Sequence, residues 1–165
     1  AYFLLATCYY ETIKDEKKDL SALLRSKEYF KIVVEKYPNT DFSLDAKFKL
    51  ALIDSILASK ELYIGKYYLS QKKWIPAMNR FKNIITDYED TEYVEEAIHR
   101  LVEINYFLGL EDEAKKYAVL LGYNYQSSEW YKESYRVFNK KYENPKDKIK
   151  KDKQGIIKKF KNLFK

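Results

Sequence analysis

Only seven of the 165 residues are glycine or proline, four and three respectively. Average usage of about 7% and 5% predicts about twenty. Sandwiches, barrels and doubly wound α/β sheets draw on those residues for tight turns and phosphate loops. The scarcity therefore points to long helices joined by few turns. Hydrophobic residues make up 46% of the chain and charged residues 34%, enough to build a core and to solvate the outer faces of helices. No apolar run approaches the roughly 20 residues of a membrane span.

Turn signals divide the sequence into seven helical stretches. Residues 1–13 read as an apolar helix, followed by the polar segment Lys14-Asp15-Glu16-Lys17-Lys18-Asp19. Residues 20–37 form a second, with Leu23, Phe30, Val33 and Tyr37 at helical spacing and Pro38-Asn39-Thr40 as its stop. From Asp41 a long helix reaches about Ser70. Ala46, Leu50, Ile53, Leu57, Ile64 and Tyr68 fall on one stripe of it. Further helices are predicted at 74–88, with Pro76 in the first turn, at 91–108 with Thr91 as cap, at 111–122, and from Ser127-Ser128 to Lys141. Asn144-Pro145 marks the end of the helical part. The domain reading is a repeat unit over 1–143 and a lysine-rich tail over 144–165.

Helix pairs on short turns invite a search for a repeat. The tetratricopeptide repeat alternates small residues, which let two helices approach, with large ones that fill the groove between pairs. With Ala77 at its position 20, residues Ile64, Gly65, Tyr68, Phe81 and Ile84 take positions 7, 8, 11, 24 and 27. With Ser26 there, Phe30, Val33 and Pro38 take 24, 27 and 32, and Thr12–Asp19 reads as an insertion that displaces the first helix of the pair. With Ala114 there, Leu101, Leu108, Gly109, Ala118 and Leu121 fit, while Asn105 replaces the aromatic. The expected fold is all-α, with tetratricopeptide-like pairs stacked in a right-handed superhelix.

The formal charge of +6 suggests nucleic acid until it is mapped. From Asn139 to Lys165 there are eleven lysines against Glu143, Asp147 and Asp152, a net of +8. The other 138 residues carry 20 basic and 22 acidic groups, a net of −2. A basic face able to track a phosphate backbone is not expected, so no nucleic-acid partner is assigned. Cys8 is the sole cysteine, which excludes an intrachain disulfide, and its place beside Tyr2-Phe3-Leu4-Leu5-Ala6 predicts a small buried hydrophobe. His99, the sole histidine, reads as a surface or capping residue rather than a general base. Neither paired histidines nor a glycine-rich phosphate loop occurs. The seventeen tyrosines sit mostly at helix-packing positions. No cofactor and no enzymatic activity are expected. Repeat arrays of this kind bind other proteins through their extended faces.

Several motifs go further in combination. Tyr37-Pro38-Asn39-Thr40 is followed by the overlong helix and Tyr67-Tyr68. Then come Lys73-Trp74-Ile75-Pro76-Ala77-Met78-Asn79-Arg80 and Asp87-Tyr88-Glu89-Asp90-Thr91. Over roughly residues 1–138 the chain resembles the BamD (ComL) family of outer-membrane assembly lipoproteins. The resemblance implies a scaffold with five tetratricopeptide-like repeats, lipid-anchored at the periplasmic face of the outer membrane. Its implied partners are the periplasmic domain of the barrel subunit BamA, the other BAM lipoproteins, and unfolded outer-membrane proteins received by N-terminal repeats. The chain opens at Ala1 inside a helical pattern and reads as the docking half of such a protein. The resemblance assigns Arg80, six residues after Trp74, to the BamA interface. Tyr67 and Tyr68 match positions near the same face, and Tyr68 is also a packing position of the repeat. A generic tetratricopeptide adaptor, holding a short peptide in its concave groove, is the alternative.

The tail carries its own pattern. Ile156, Ile157, Phe160, Leu163 and Phe164 fall at i, i+1, i+4, i+7 and i+8 among lysines. That spacing suits either a membrane-surface segment or a helix packed on protein.

Overall fold

The computed structural model describes residues 1–12 and 20–139, and among these every regular element is helical. The elements are α1 (Tyr2–Glu11), α2 (Ser21–Lys36), α3 (Asp41–Ser70), α4 (Trp74–Asp87), α5 (Val94–Phe107), α6 (Glu111–Asn124) and α7 (Glu129–Phe138). Each packs on its successor, and α7 also lies against α5. That is the neighbour-only connectivity of a helical repeat. The lysine-rich segment 144–165 lies outside the described residues, as does most of the inserted stretch before α2.

Local chemistry sets the helix ends. Thr40 caps α3 by accepting a hydrogen bond from Ser43 N–H, and Ser128 caps α7 by accepting one from Trp130 N–H. The α5–α6 turn closes with Gly109 at φ +78°. There Gly109 N–H donates to Tyr106 and Leu110 N–H to Asn105, the paired bonds of a glycine C-cap. The α3–α4 turn uses the same bonds, Lys72 to Leu69 and Lys73 to Tyr68, but places Lys72 at φ +56°. Thr91 does not cap α5. Its hydroxyl donates to Tyr88 O, and the chain makes one more turn before the helix begins at Val94.

The helix pairs close as the repeat pattern predicts. Ser26 Oγ donates 2.8 Å to Ala6 O where α2 crosses α1, both residues being fully buried. Ala6 thus supplies the small residue that the insertion displaced. Asn105, standing where the repeat has an aromatic, turns inward and satisfies itself on Leu101 O at 2.7 Å. Two corrections follow from helix geometry. Cys8 is exposed, because it lies about 200° around α1 from Ala6, the residue that faces α2. His99 is buried, because α4, α6 and α7 all pack on α5 and leave it little free surface.

The long helix α3 serves two cores. Ala46, Ile53 and Leu57 join Phe30 and Val33 in one cluster, while Ala58 and Leu62 join Phe81, Ile84 and Ile98 in the next. Between Leu57 and Ala58 the buried face steps around the helix by about 100°. The first half of α3 faces α2 and the second half faces α4. Tyr88 packs against both clusters and closes the seam between them.

Candidate partner-docking site

The α3–α4 hairpin turns about Lys72, so residues at similar distances on either side of it meet. Gly65 accepts the Phe81 ring, and Ala77 is fully buried against α3. Eleven positions either side of Lys72 stand Glu61 and Asn83. Arg80 and Asn83, three apart on α4, project from one flank of the buried stripe, about 60° from one another.

That flank converges on a single carboxylate. Arg80 Nη1 donates to Glu61 Oε1 at 2.9 Å and to Oε2 at 3.3 Å, and Asn83 Nδ2 donates to Oε2 at 3.2 Å. The Glu61 side chain is 17% exposed and that of Arg80 37%. The arginine stem therefore packs at the edge of the core, as the spacing predicts. Its guanidinium is not simply directed outward, however. A carboxylate of the same chain already holds it, because hairpin closure brings Glu61 within reach.

Tyr67 and Tyr68 lie elsewhere on α3. Their rings contact one another with centroids 6.0 Å apart. Tyr68 packs against the core cluster of α3 to α6, while Tyr67 is exposed. Seven residues separate Glu61 from Tyr68, about 10 Å along the helix axis. The hairpin thus places Arg80 and the tyrosines on one helix pair without joining them in one cluster. Burial, together with the charges of the Glu61, Asp87 and Asp54 carboxylates, raises the pKa of Tyr88 above the usual tyrosine value.

A second polar network runs across α3, α5 and α7. Glu96 Oε1 accepts from Lys66 at 2.9 Å and from Arg100 at 3.1 Å, and Arg100 reaches Glu103 at 2.7 Å. His99 Nε2 stands 3.4 Å from Glu103 Oε1, and its Nδ1 lies 2.8 Å from Ser134 Oγ on α7. The Trp130 ring lies tilted against His99, centroids 5.2 Å apart, with Arg100 over the indole. Burial pushes the Glu103 carboxyl up, but hydrogen bonds and charge from His99 and Arg100 outweigh it and bring the pKa down to about 2. The order serine, imidazole, carboxylate resembles that of a hydrolase, yet Ser134 is fully buried and no substrate atom could reach it. The network ties α7 to α5. Among the described residues no cluster of three or more His, Cys, Asp or Glu side chains is placed to hold a metal.

Glu61, Asn83 and Ser134 escaped the sequence reading. Glu61 and Asn83 are visible in retrospect as equal steps from the turn, whereas Ser134 carries no local signal.

Residues 1–120 match the family YfiO, described as outer membrane lipoprotein. The chain belongs to this family. The matched region runs from α1 into α6 and holds the whole α3–α4 hairpin, so Arg80, Glu61 and Asn83 all fall within the YfiO segment. Relatives bearing the name outer membrane protein assembly factor BamD agree. That of Rickettsia prowazekii is 45% identical over 144 residues, 87% of this chain and 57% of the relative. That of Caulobacter vibrioides is 38% identical over 139 residues, 84% of this chain and 46% of the relative. In Neisseria gonorrhoeae the figures are 30% over 89 residues. The chain thus spans about half the length of the first two relatives. The family to which the tyrosine, proline and tryptophan motifs pointed is the family found.

Proposed function

We propose that this chain is the docking half of a non-enzymatic scaffold subunit of the outer-membrane β-barrel assembly complex. It sits at the periplasmic face of the outer membrane, held there by a lipid anchor of the full-length protein. Its repeats, residues 1–143, meet the periplasmic domain of BamA through the α3–α4 face around Arg80. Other lipoproteins of the complex bind the same repeat array, and unfolded barrel proteins are received by repeats that precede those present here. The observation that carries this reading is the relative named as an assembly factor, 45% identical across 87% of the chain. The placement of Arg80 supports the choice of face. Its stem is packed and its head partly exposed, a disposition suited to a bidentate pair with a partner carboxylate.

An adaptor that grips a peptide carboxylate needs free cations in its groove. Lys66 on α3 and Arg100 on α5 pair with Glu96 and Glu103. The adaptor reading therefore gains no support from them.

The test is co-purification with BamA, followed by titration of its periplasmic domains with wild type and Arg80→Ala. The substitution is expected to weaken binding roughly ten- to a hundredfold, with helicity by circular dichroism unchanged. Binding within threefold of wild type would remove Arg80 from the interface.

A further inference from the structure

The Arg80–Glu61 pair bears on how docking happens. A guanidinium that meets a partner's carboxylate must either present a free donor edge or exchange one carboxylate for another. Here Arg80 is held through Nη1, which lies against both oxygens of Glu61, so a partner carboxylate that binds the guanidinium across Nη1 and Nη2 must displace Glu61 from Nη1. The pair is electrically neutral, so at a distance Arg80 adds no net positive charge to the face. Asn83 holds Glu61 Oε2 independently, at 3.2 Å. Glu61 therefore keeps one hydrogen bond when Arg80 leaves, which lowers the penalty of its release.

We propose that Glu61 is an internal competitor for the docking carboxylate, and that docking on this face proceeds by exchange, Arg80 passing from Glu61 to an acidic side chain of the partner while Asn83 retains Glu61. The proposal rests on the docking role given to Arg80 above. Glu61 then sets affinity and selectivity. Only a partner that presents a well-placed carboxylate, backed by further contacts, displaces it, and diffuse anionic surfaces do not. The pair is mostly shielded, Glu61 being 17% and Arg80 37% exposed, and the Asn83 bond that Glu61 keeps lowers the cost of parting it for a matched interface.

The experiment compares wild type, Glu61→Gln, Arg80→Ala and the double variant as full chains, titrated against the BamA periplasmic domains at several salt concentrations. Glutamine keeps the size of the side chain and an oxygen acceptor for Arg80 but removes the competing charge. Glu61→Gln is expected to bind about three- to tenfold tighter than wild type, and the gain is expected to vanish in the double variant. Salt dependence separates exchange from a general structural effect. Exchange conserves the number of ion pairs in wild type, whereas Glu61→Gln forms a new one on docking, so its affinity falls more steeply with salt. Thermal melting with circular dichroism controls for folding, and Glu61→Met, which keeps the packing of the stem, replaces Glu61→Gln if that variant loses helicity. Equal or weaker binding by the Glu61 variant with an unchanged salt slope, while Arg80→Ala still weakens binding, overturns the competitor and leaves the docking face standing. Arg80→Ala binding as wild type does removes the docking face, and the competitor with it.

Discussion

Gly65 and Phe81 meet so closely that a Cβ built on Gly65 would stand 2.5 Å from Phe81 Cε1. The ring is fully buried and has nowhere to move. Alanine is the better helix former by about 1 kcal/mol, yet overpacking of this kind costs about 1–3 kcal/mol. Gly65→Ala is expected to lose about 1 kcal/mol net, read as a lower midpoint in urea, and Phe81→Leu is expected to relieve it. A stabilised Gly65→Ala protein would mean that the hairpin opens more easily than its packing suggests.

The adjoining turn offers the opposite change. Lys72 occupies the left-handed region that glycine fills at Gly109. A side chain there costs on the order of 1 kcal/mol, part of which glycine returns through its freer unfolded chain. Lys72→Gly should raise stability by ~0.5 kcal/mol, a shift of about 1–2 °C in Tm. A lower Tm would show that the lysine side chain stabilises the turn by more than its backbone strain costs.

Ser134→Ala tests the tie between α7 and α5. It removes the hydroxyl that stands 2.8 Å from His99 Nδ1 and leaves that nitrogen buried without a partner. The expected loss is about 1–3 kcal/mol, concentrated at the C-terminal end. Hydrogen exchange should quicken in α7 while α2 and α3 keep their protection. Uniform quickening would place the effect elsewhere.

Glu103 links the same network to pH. Its pKa falls from 4.5 to about 2 on folding, so its contribution is fully present above about pH 4.5 and drains away as pH drops through 2. The side chain is 38% exposed, and solvent screening holds the contribution to ~1–2 kcal/mol. Glu103→Gln should therefore be less stable than wild type at pH 7 and match it near pH 2. A gap that stays constant between those values would show that the carboxylate is not linked to folding.

The tail yields a prediction from sequence alone. Five apolar residues from Ile156 to Phe164 share one helical spacing among lysines, and each lysine near an anionic bilayer adds about 1 kcal/mol. Chains truncated after Pro145 are expected to lose flotation with anionic liposomes. Equal flotation of full and truncated chains would remove the membrane role.

The helices were legible in the sequence because their signals are local. Periodicity, a capping Ser128, the stop at Pro38-Asn39-Thr40 and the scarcity of glycine act within one or two turns of chain, so α3 runs from Asp41 to Ser70 as its stripe predicts. The repeat was legible too, since Gly65 and Phe81 are a small and a large residue at fixed offsets. Which side chains face each other was not. Cys8 and Ala6 differ by two positions, and only the docking of α2 decides which is buried. His99 becomes a core residue because α7, thirty residues on, closes over α5. Arg80 finds Glu61 because the turn at Lys72 folds α4 back along α3. Secondary structure follows from neighbours along the chain, whereas burial and charge pairing follow from neighbours in space. Those were settled only when the helices packed.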